Sequence, residues 1–190
     1  MIDPRYVTNY SRTQAELEEF WLFCLVVAGK TAMTQAKFLD QFLEDNRNKS
    51  RSNQSPFDIV RSLNNTGELL EALKLSRLGQ FNRLERAMRE SLDLNLTTDG
   101  VDAFEAIHGV GSKTARFFLL HTRKDQQIAV LDTHVLRFMR DQGLTTQKGT
   151  PPKGPKYAEL EKVFIGLAKA ANMSIADYDL HIWRTYSGNT

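Results

Sequence analysis

One cysteine, Cys24, stands in a chain of 190 residues. A lone thiol excludes a disulfide within the chain and also a four-cysteine iron–sulfur or zinc site. Long apolar runs are missing too. None approaches the roughly 20 residues that cross a bilayer, so no membrane association is expected. The N-terminus lacks the basic, apolar and small-residue succession of an export signal, and an intracellular, reducing compartment is expected. Proline is scarce: three of the five prolines fall within Thr145–Pro155, which reads as a loop. Internal repeats and low-complexity tracts are absent from the sequence.

What is present is ordinary in bulk, with 41% apolar and 25% charged residues. The length suits one large domain or two small lobes, with a core that needs no staples. The net charge of +2 says little until it is divided along the chain. From His108 to Lys156 there are nine Lys or Arg against three Asp; the remainder therefore holds 25 − 9 = 16 basic and 23 − 3 = 20 acidic residues. Positive charge gathered in one segment suits a polyanion partner, and equally a solvated basic helix face.

The patterning predicts an all-α chain of many short helices. Thr13-Gln-Ala-Glu16 is a capping box, and the apolar stretch Phe20–Ala28 behind it is too continuous for a surface helix. Helical spacing runs from Ala32 to Leu43, and Asp45–Gln54 is polar and reads as a mobile loop. Ser55-Pro56-Phe57-Asp58 is a strong helix start. Short helices are predicted over 57–63, 67–74, 79–92 and 101–107. A further helix over 112–122 follows a glycine turn, and Ile128–Leu131 is short and extended. Asp132 caps a helix to Gln142, stopped by Gly143, and a final pair spans about 156–171 and 174–187.

The chemistry concentrates at Ile107-His-Gly-Val-Gly-Ser-Lys-Thr-Ala115 and Val130-Leu-Asp-Thr-His134. A glycine turn leading into a helix presents consecutive backbone N–H groups, which with the helix dipole suit a phosphate. Gly109 and Gly111 are expected at positions of positive φ or close approach. Alone, such a turn is also met in plain helix-connecting loops. Lys113 falls in the first helical turn, a location that disfavours a protonated amine and favours a nucleophile. A neutral amine there can attack C1′ of a deoxyribose as the base departs, and the resulting imine permits elimination of the 3′ phosphate. The simpler role for Lys113 is a phosphate contact. Asp132 reads as a helix N-cap, and a carboxylate so fixed can also support an oxocarbenium-like sugar. His134 suits a phosphate contact or a buried hydrogen bond.

At these residues the chain resembles the helix–hairpin–helix DNA glycosylase superfamily, whose hairpin has the form L-P-G-V-G-x-K-T-A followed by V-D-T-H. His108 replaces the usual proline, and one extra residue precedes Asp132. The resemblance implies a two-lobed all-α fold: a six-helix barrel over 29–131, and a second helical lobe from 1–28 with 132–190. It implies double-stranded DNA as the partner, with a damaged nucleotide flipped out, and Lys113 marks the bifunctional branch that excises a base and then nicks the strand. With no four-cysteine cluster and no room for an additional β-rich domain, the chain is most similar to the compact archaeal and bacterial 8-oxoguanine glycosylases. Asp179-Leu-His-Ile-Trp183 with Ser187-Gly188 is similar to the D-L-x-I-W…T-G ending of that group, although the sequence finishes in Asn189-Thr190 rather than lysine.

The catalytic residues so implied are Lys113 and Asp132. DNA contacts are expected from Gly109, Gly111, Ser112, Thr114, Arg116, His134 and Lys30, the last near the position from which relatives insert a wedge. Trp21, Tyr178, Trp183 and Tyr186 are candidates to stack on the flipped base, and equally residues of a core. No cofactor or metal is required, although the resemblance allows a monovalent cation at the hairpin carbonyls. A monomer is expected. Two alternatives stay open: an oxidised-pyrimidine glycosylase with the same mechanism, and a non-catalytic helix–hairpin–helix DNA-binding module.

Overall fold

The computed structural model describes residues 1–47 and 54–188. Residues 48–53 of the expected polar loop, and the final Asn189-Thr190, lie outside the described residues. The described residues form ten helices and no strand: α1 (Gln14–Val26), α2 (Ala32–Asn46), α3 (Pro56–Thr66), α4 (Leu69–Leu75), α5 (Phe81–Ser91), α6 (Val101–Glu105), α7 (Ser112–Thr122), α8 (Thr133–Asp141), α9 (Pro155–Ala170) and α10 (Ile175–Ser187). Among them no helix is long and apolar enough to cross a membrane.

Helix starts follow the sequence closely because side chains fix them. Thr13 and Glu16 bond reciprocally as a capping box, and Ser55 with Asp58 does the same ahead of Pro56. Asp132 caps α8, and Ser174 caps α10. Gly67 and Gly143 end α3 and α8 with positive φ. Ile128–Leu131 is extended without a strand partner.

Two compact units emerge, one of Met1–Val7 with Ser11–Val110, the other of Thr8–Tyr10 with residues from Gly111 onward. These bounds differ from those expected: the division falls at Gly111 instead of Asp132, and residues 11–28 lie with the first unit. The reason is burial. α1 packs against α2, α3 and α5, and Phe20–Val26 are each at most 1% exposed. Burying one such large apolar side chain contributes about 1.5–3 kcal/mol, enough to decide which unit holds the helix. In the second unit α10 packs against α7, α8 and α9 around Leu120, Val135, Leu136, Phe164 and Ile182. This unit also holds a cavity of about 830 Å³, lined in part by Thr8, Tyr10, Arg123, Lys169 and Asp177.

Candidate active site

In the first unit the turn before α7 is closed by Val110, which donates to the Ile107 carbonyl at 3.0 Å. Gly109 has φ +73°, and a Cβ there would lie 2.7 Å from Arg83 Cγ and 2.8 Å from Arg83 Cδ. Both the backbone conformation and the space therefore demand glycine. Arg83 in turn donates to the Leu25 carbonyl at 2.8 Å and to the Gly109 carbonyl at 3.4 Å. His108, where the family hairpin has proline, retains an N–H and donates it to Glu90 at 2.7 Å. The Arg86 hydrogen bond, followed by that from His108, holds the Glu90 carboxyl below its usual range.

We expect Gly109→Ala to lose about 1–2 kcal/mol from the left-handed backbone alone, with more from displacing Arg83. Chemical denaturation of the full chain would measure it. A loss no larger than for alanine at Gly111 would contradict the argument. Gly111 itself has φ −103° and no atom within 4 Å of a Cβ position. Contrary to expectation, neither backbone conformation nor crowding requires glycine there.

In the second unit Gly111 is the N-cap of α7, without a side-chain cap. Thr114 and Ala115 donate to its carbonyl, and the amides ahead of them lie at the open start of the helix. The side chains beside those amides turn inward: Ser112 and Thr114 are 5% and 8% exposed. Lys113, the second residue of α7, is half-buried. Its Nζ lies 5.4 Å from the centroid of the Phe117 ring, one turn along the same face.

Asp132 caps α8 through one oxygen, Oδ1, which accepts from His134 and Val135 backbone N–H groups at 2.8 Å each. The His134 ring meets Trp183 edge-on at 6.5 Å. Asp179, one turn before Trp183 on α10, is buried and feels the charges of both Asp132 and Lys113. Lys113, Asp132, His134 and Trp183 therefore belong to one unit and one neighbourhood. Phe117 and Asp179 join it without having been foreseen. The i, i+4 spacing of Phe117 from Lys113 was a readable signal; Asp179 opens the Asp179-Leu-His-Ile-Trp183 ending, which matched the family pattern without giving the aspartate a role.

Other expected residues are engaged elsewhere. Arg116 pairs with Glu161 of α9 at 2.8 Å and stacks over Tyr157 at 4.5 Å. Trp21 is fully buried in the core of the first unit, donates to Ser91 at 2.8 Å and packs edge-on against Phe104. Tyr178 is core of the second unit, against Phe138 and Phe164. Tyr186 packs on Phe138 with Arg137 over its ring. Of the four aromatics proposed for the base, only Trp183 lies beside the Asp132 cap.

Lys30, in the first unit, donates its ammonium to the Leu78 carbonyl, and burial followed by the Arg83 charge lowers its pKa. The Gly109 carbonyl already faces the Arg83 guanidinium, a fixed positive charge that does not fit a cation bound to that oxygen. Among the described residues no group of three or more His, Cys, Asp or Glu could hold a metal ion.

A half-buried lysine at a helix start, a capping carboxylate and an indole edge-on to the residue two positions after that cap make up the candidate site. Comparison with known proteins then places the chain. The family profile described as 8-oxoguanine DNA glycosylase matches residues 5–173. The chain belongs to the 8-oxoguanine DNA glycosylase family. It is 31% identical over 134 residues to the 8-oxoguanine DNA glycosylase/AP lyase of Metallosphaera sedula, a match covering 69% of this chain and 64% of that protein. The corresponding protein of Thermotoga maritima is 35% identical over 82 residues, covering 42% of this chain and 38% of its own length. The chain thus spans less than two thirds of these relatives.

In fold it is similar to the crystal structure of the Methanocaldococcus jannaschii 8-oxoguanine DNA glycosylase, with a TM-score of 0.71 at 20% identity over 97% of this chain and 84% of the other. A second structure of the jannaschii enzyme, in complex with a 15mer DNA containing 8-oxoguanine, gives 0.65 at 19% identity over 94% and 84%.

Proposed function

We propose that this protein is a bifunctional 8-oxoguanine DNA glycosylase and AP lyase that uses Lys113 as nucleophile and Asp132 as the carboxylate supporting the sugar cation. The observation that carries this reading is the placement of Lys113 and Asp132 at two helix starts of one unit, in a chain of this family. The Lys113 amine attacks C1′; the glycosidic bond breaks and its electron pair leaves with the base. The Asp132 carboxylate, oriented by two backbone N–H groups, offsets the charge that develops on the sugar. Ring opening gives an imine, which acidifies C2′ and allows loss of the 3′ phosphate.

Backbone amides at the start of α7 suit a DNA phosphate, and the chemistry draws on side chains alone. The names of the relatives favour 8-oxoguanine over an oxidised pyrimidine, and the paired Lys113 and Asp132 favour an enzyme over a DNA-binding module. The same reading has the protein act as a monomer inside the cell on double-stranded DNA.

The test is a panel of duplexes carrying 8-oxoguanine, thymine glycol or a preformed abasic site, scored for base release and strand cleavage. Release of 8-oxoguanine with cleavage at the abasic site is expected. Release of thymine glycol alone would replace the substrate, and no reaction on any duplex would leave a binding module. Trp183→Ala should slow 8-oxoguanine release roughly ten- to a hundredfold, the range of one lost base–aromatic stack. Abasic-site cleavage should change far less, because that substrate has no base to stack. Equal loss of both activities would assign Trp183 to the fold instead.

A further inference from the structure

The extended segment Ile128–Leu131, which leads into Asp132, has no neighbouring strand among the described residues. Side chains from the loop and helix that follow α8 bond its backbone instead. The Tyr157 hydroxyl donates to the Ala129 carbonyl at 2.9 Å and accepts from the Leu131 N–H at 3.3 Å. Glu161 Oε1 accepts from the Ala129 N–H at 2.9 Å, and the Thr150 hydroxyl donates to the Leu131 carbonyl at 2.8 Å. Tyr157 and Glu161 are one turn apart on α9 and so share a face. Both backbone groups of Ala129 and both of Leu131 are therefore met by side chains, at the alternate positions where a paired strand would meet them.

This arrangement fastens Asp132 from both directions. Ahead of it, the carboxylate caps α8. Behind it, the Asp132 N–H donates at 2.9 Å to the carbonyl of Val130, which lies between the two residues that the side chains hold. The Glu161 oxygen that takes the Ala129 N–H also takes the Arg116 Nε–H at 2.8 Å, and Arg116 lies one turn after Lys113 on α7. One carboxylate oxygen thus joins the helix of the proposed nucleophile to the segment that carries the proposed carboxylate. Tyr157 is 1% exposed, and burial pushes its phenol up, so it keeps the proton that it donates to Ala129. An apolar contact would cover the segment equally well; what two directed bonds from one hydroxyl add is a fixed position along its length.

We propose that Tyr157, with Glu161 and Thr150, takes the place of a strand partner and sets where the Asp132 carboxylate stands when the glycosidic bond breaks. The inference rests on the reading of Asp132 as the carboxylate that faces the sugar. Tyr157 acts through Asp132 and is a positioning residue. Charge stabilisation of this kind depends on a group that is in place before the bond breaks, and a misplacement of about 1 Å costs on the order of a hundredfold. Without the phenolic hydroxyl Asp132 still caps α8, but the chain behind it is free to shift and takes the carboxylate with it.

The test is a double-mutant cycle, read by single-turnover release of 8-oxoguanine from a duplex by the full chain. Tyr157→Phe keeps the ring on which Arg116 stacks and removes only the hydroxyl. We expect it to slow release roughly tenfold. In an Asp132→Asn background the same change should cost less than about twofold, the scatter of such cycles, because no charge is left to place. Imine trapping at a preformed abasic site should stay near the parental rate in Tyr157→Phe, since no base departs. Amide exchange over 128–132 should quicken in that variant while α10 exchanges as before. An equal loss of base release in both backgrounds makes Tyr157 a support of the fold and overturns the proposal; so does parental release, or unchanged exchange. If Tyr157→Phe yields no folded protein, Thr150→Val, at the exposed end of the clamp, takes its place. It should slow release in the parent and not in Asp132→Asn, and equal effects in both overturn the proposal. If the parent releases no base, or Asp132→Asn matches it, the reading of Asp132 fails and the proposal with it. Quickened exchange over 128–132 would tell that failure apart from a failure of the clamp.

Discussion

Lys113→Gln should fold as the parent does and form no borohydride-stable adduct with DNA. Glutamine is one atom shorter and uncharged but has good helix propensity, so circular dichroism and melting should change little. It has no nucleophilic amine, and the covalent route is closed. Strand cleavage at an abasic site should fall to background. Base release should drop by about a thousandfold or more, equivalent to ~4 kcal/mol of transition-state stabilisation. Electrophoresis of the reduced reaction mixture reads the adduct directly. An adduct of parental yield in this variant would show that another amine is the nucleophile.

Asp132→Asn separates a cap from a charge. Asparagine caps a helix about as well as aspartate, so its side-chain oxygen can still accept from His134 and Val135. The melting temperature should hold, while excision slows about 10²–10³-fold as the sugar cation loses its facing charge. Single-turnover release of 8-oxoguanine measures the loss. A variant that melts early but retains full activity in its folded fraction would make the residue structural only.

Those two side chains were legible in the sequence for a physical reason. Each sits at a helix start, and helix starts are written locally: a glycine turn before Lys113, an Asp-Thr-His before an apolar run. The same locality explains why α7 occupies the predicted 112–122 and why the capping boxes of α1 and α3 fell where expected. What escaped depends on partners far along the chain. The pairing of Arg116 with Glu161, forty-five residues away, cannot be read from spacing. His121 and Asp179 are fifty-eight residues apart, and only the packing of α10 on α7 brings them together. Trp21 lay in a stretch already read as buried, yet its type suggested stacking; Ser91 satisfies its N–H seventy residues on.

The three residues Thr8–Tyr10 belong to the second unit although α1 to α6 intervene before the rest of it. Their bonds to His121 close a loop of 113 residues. During synthesis this short segment emerges first, and its place is not available until α7 has followed it out. The second unit is therefore finished late, by a piece of chain made early, and the entropy of that long closure falls on a few hydrogen bonds. Cutting the gene at Gly111 would not yield this unit: the excised piece would lack one wall of its cavity and the hydroxyl that meets His121.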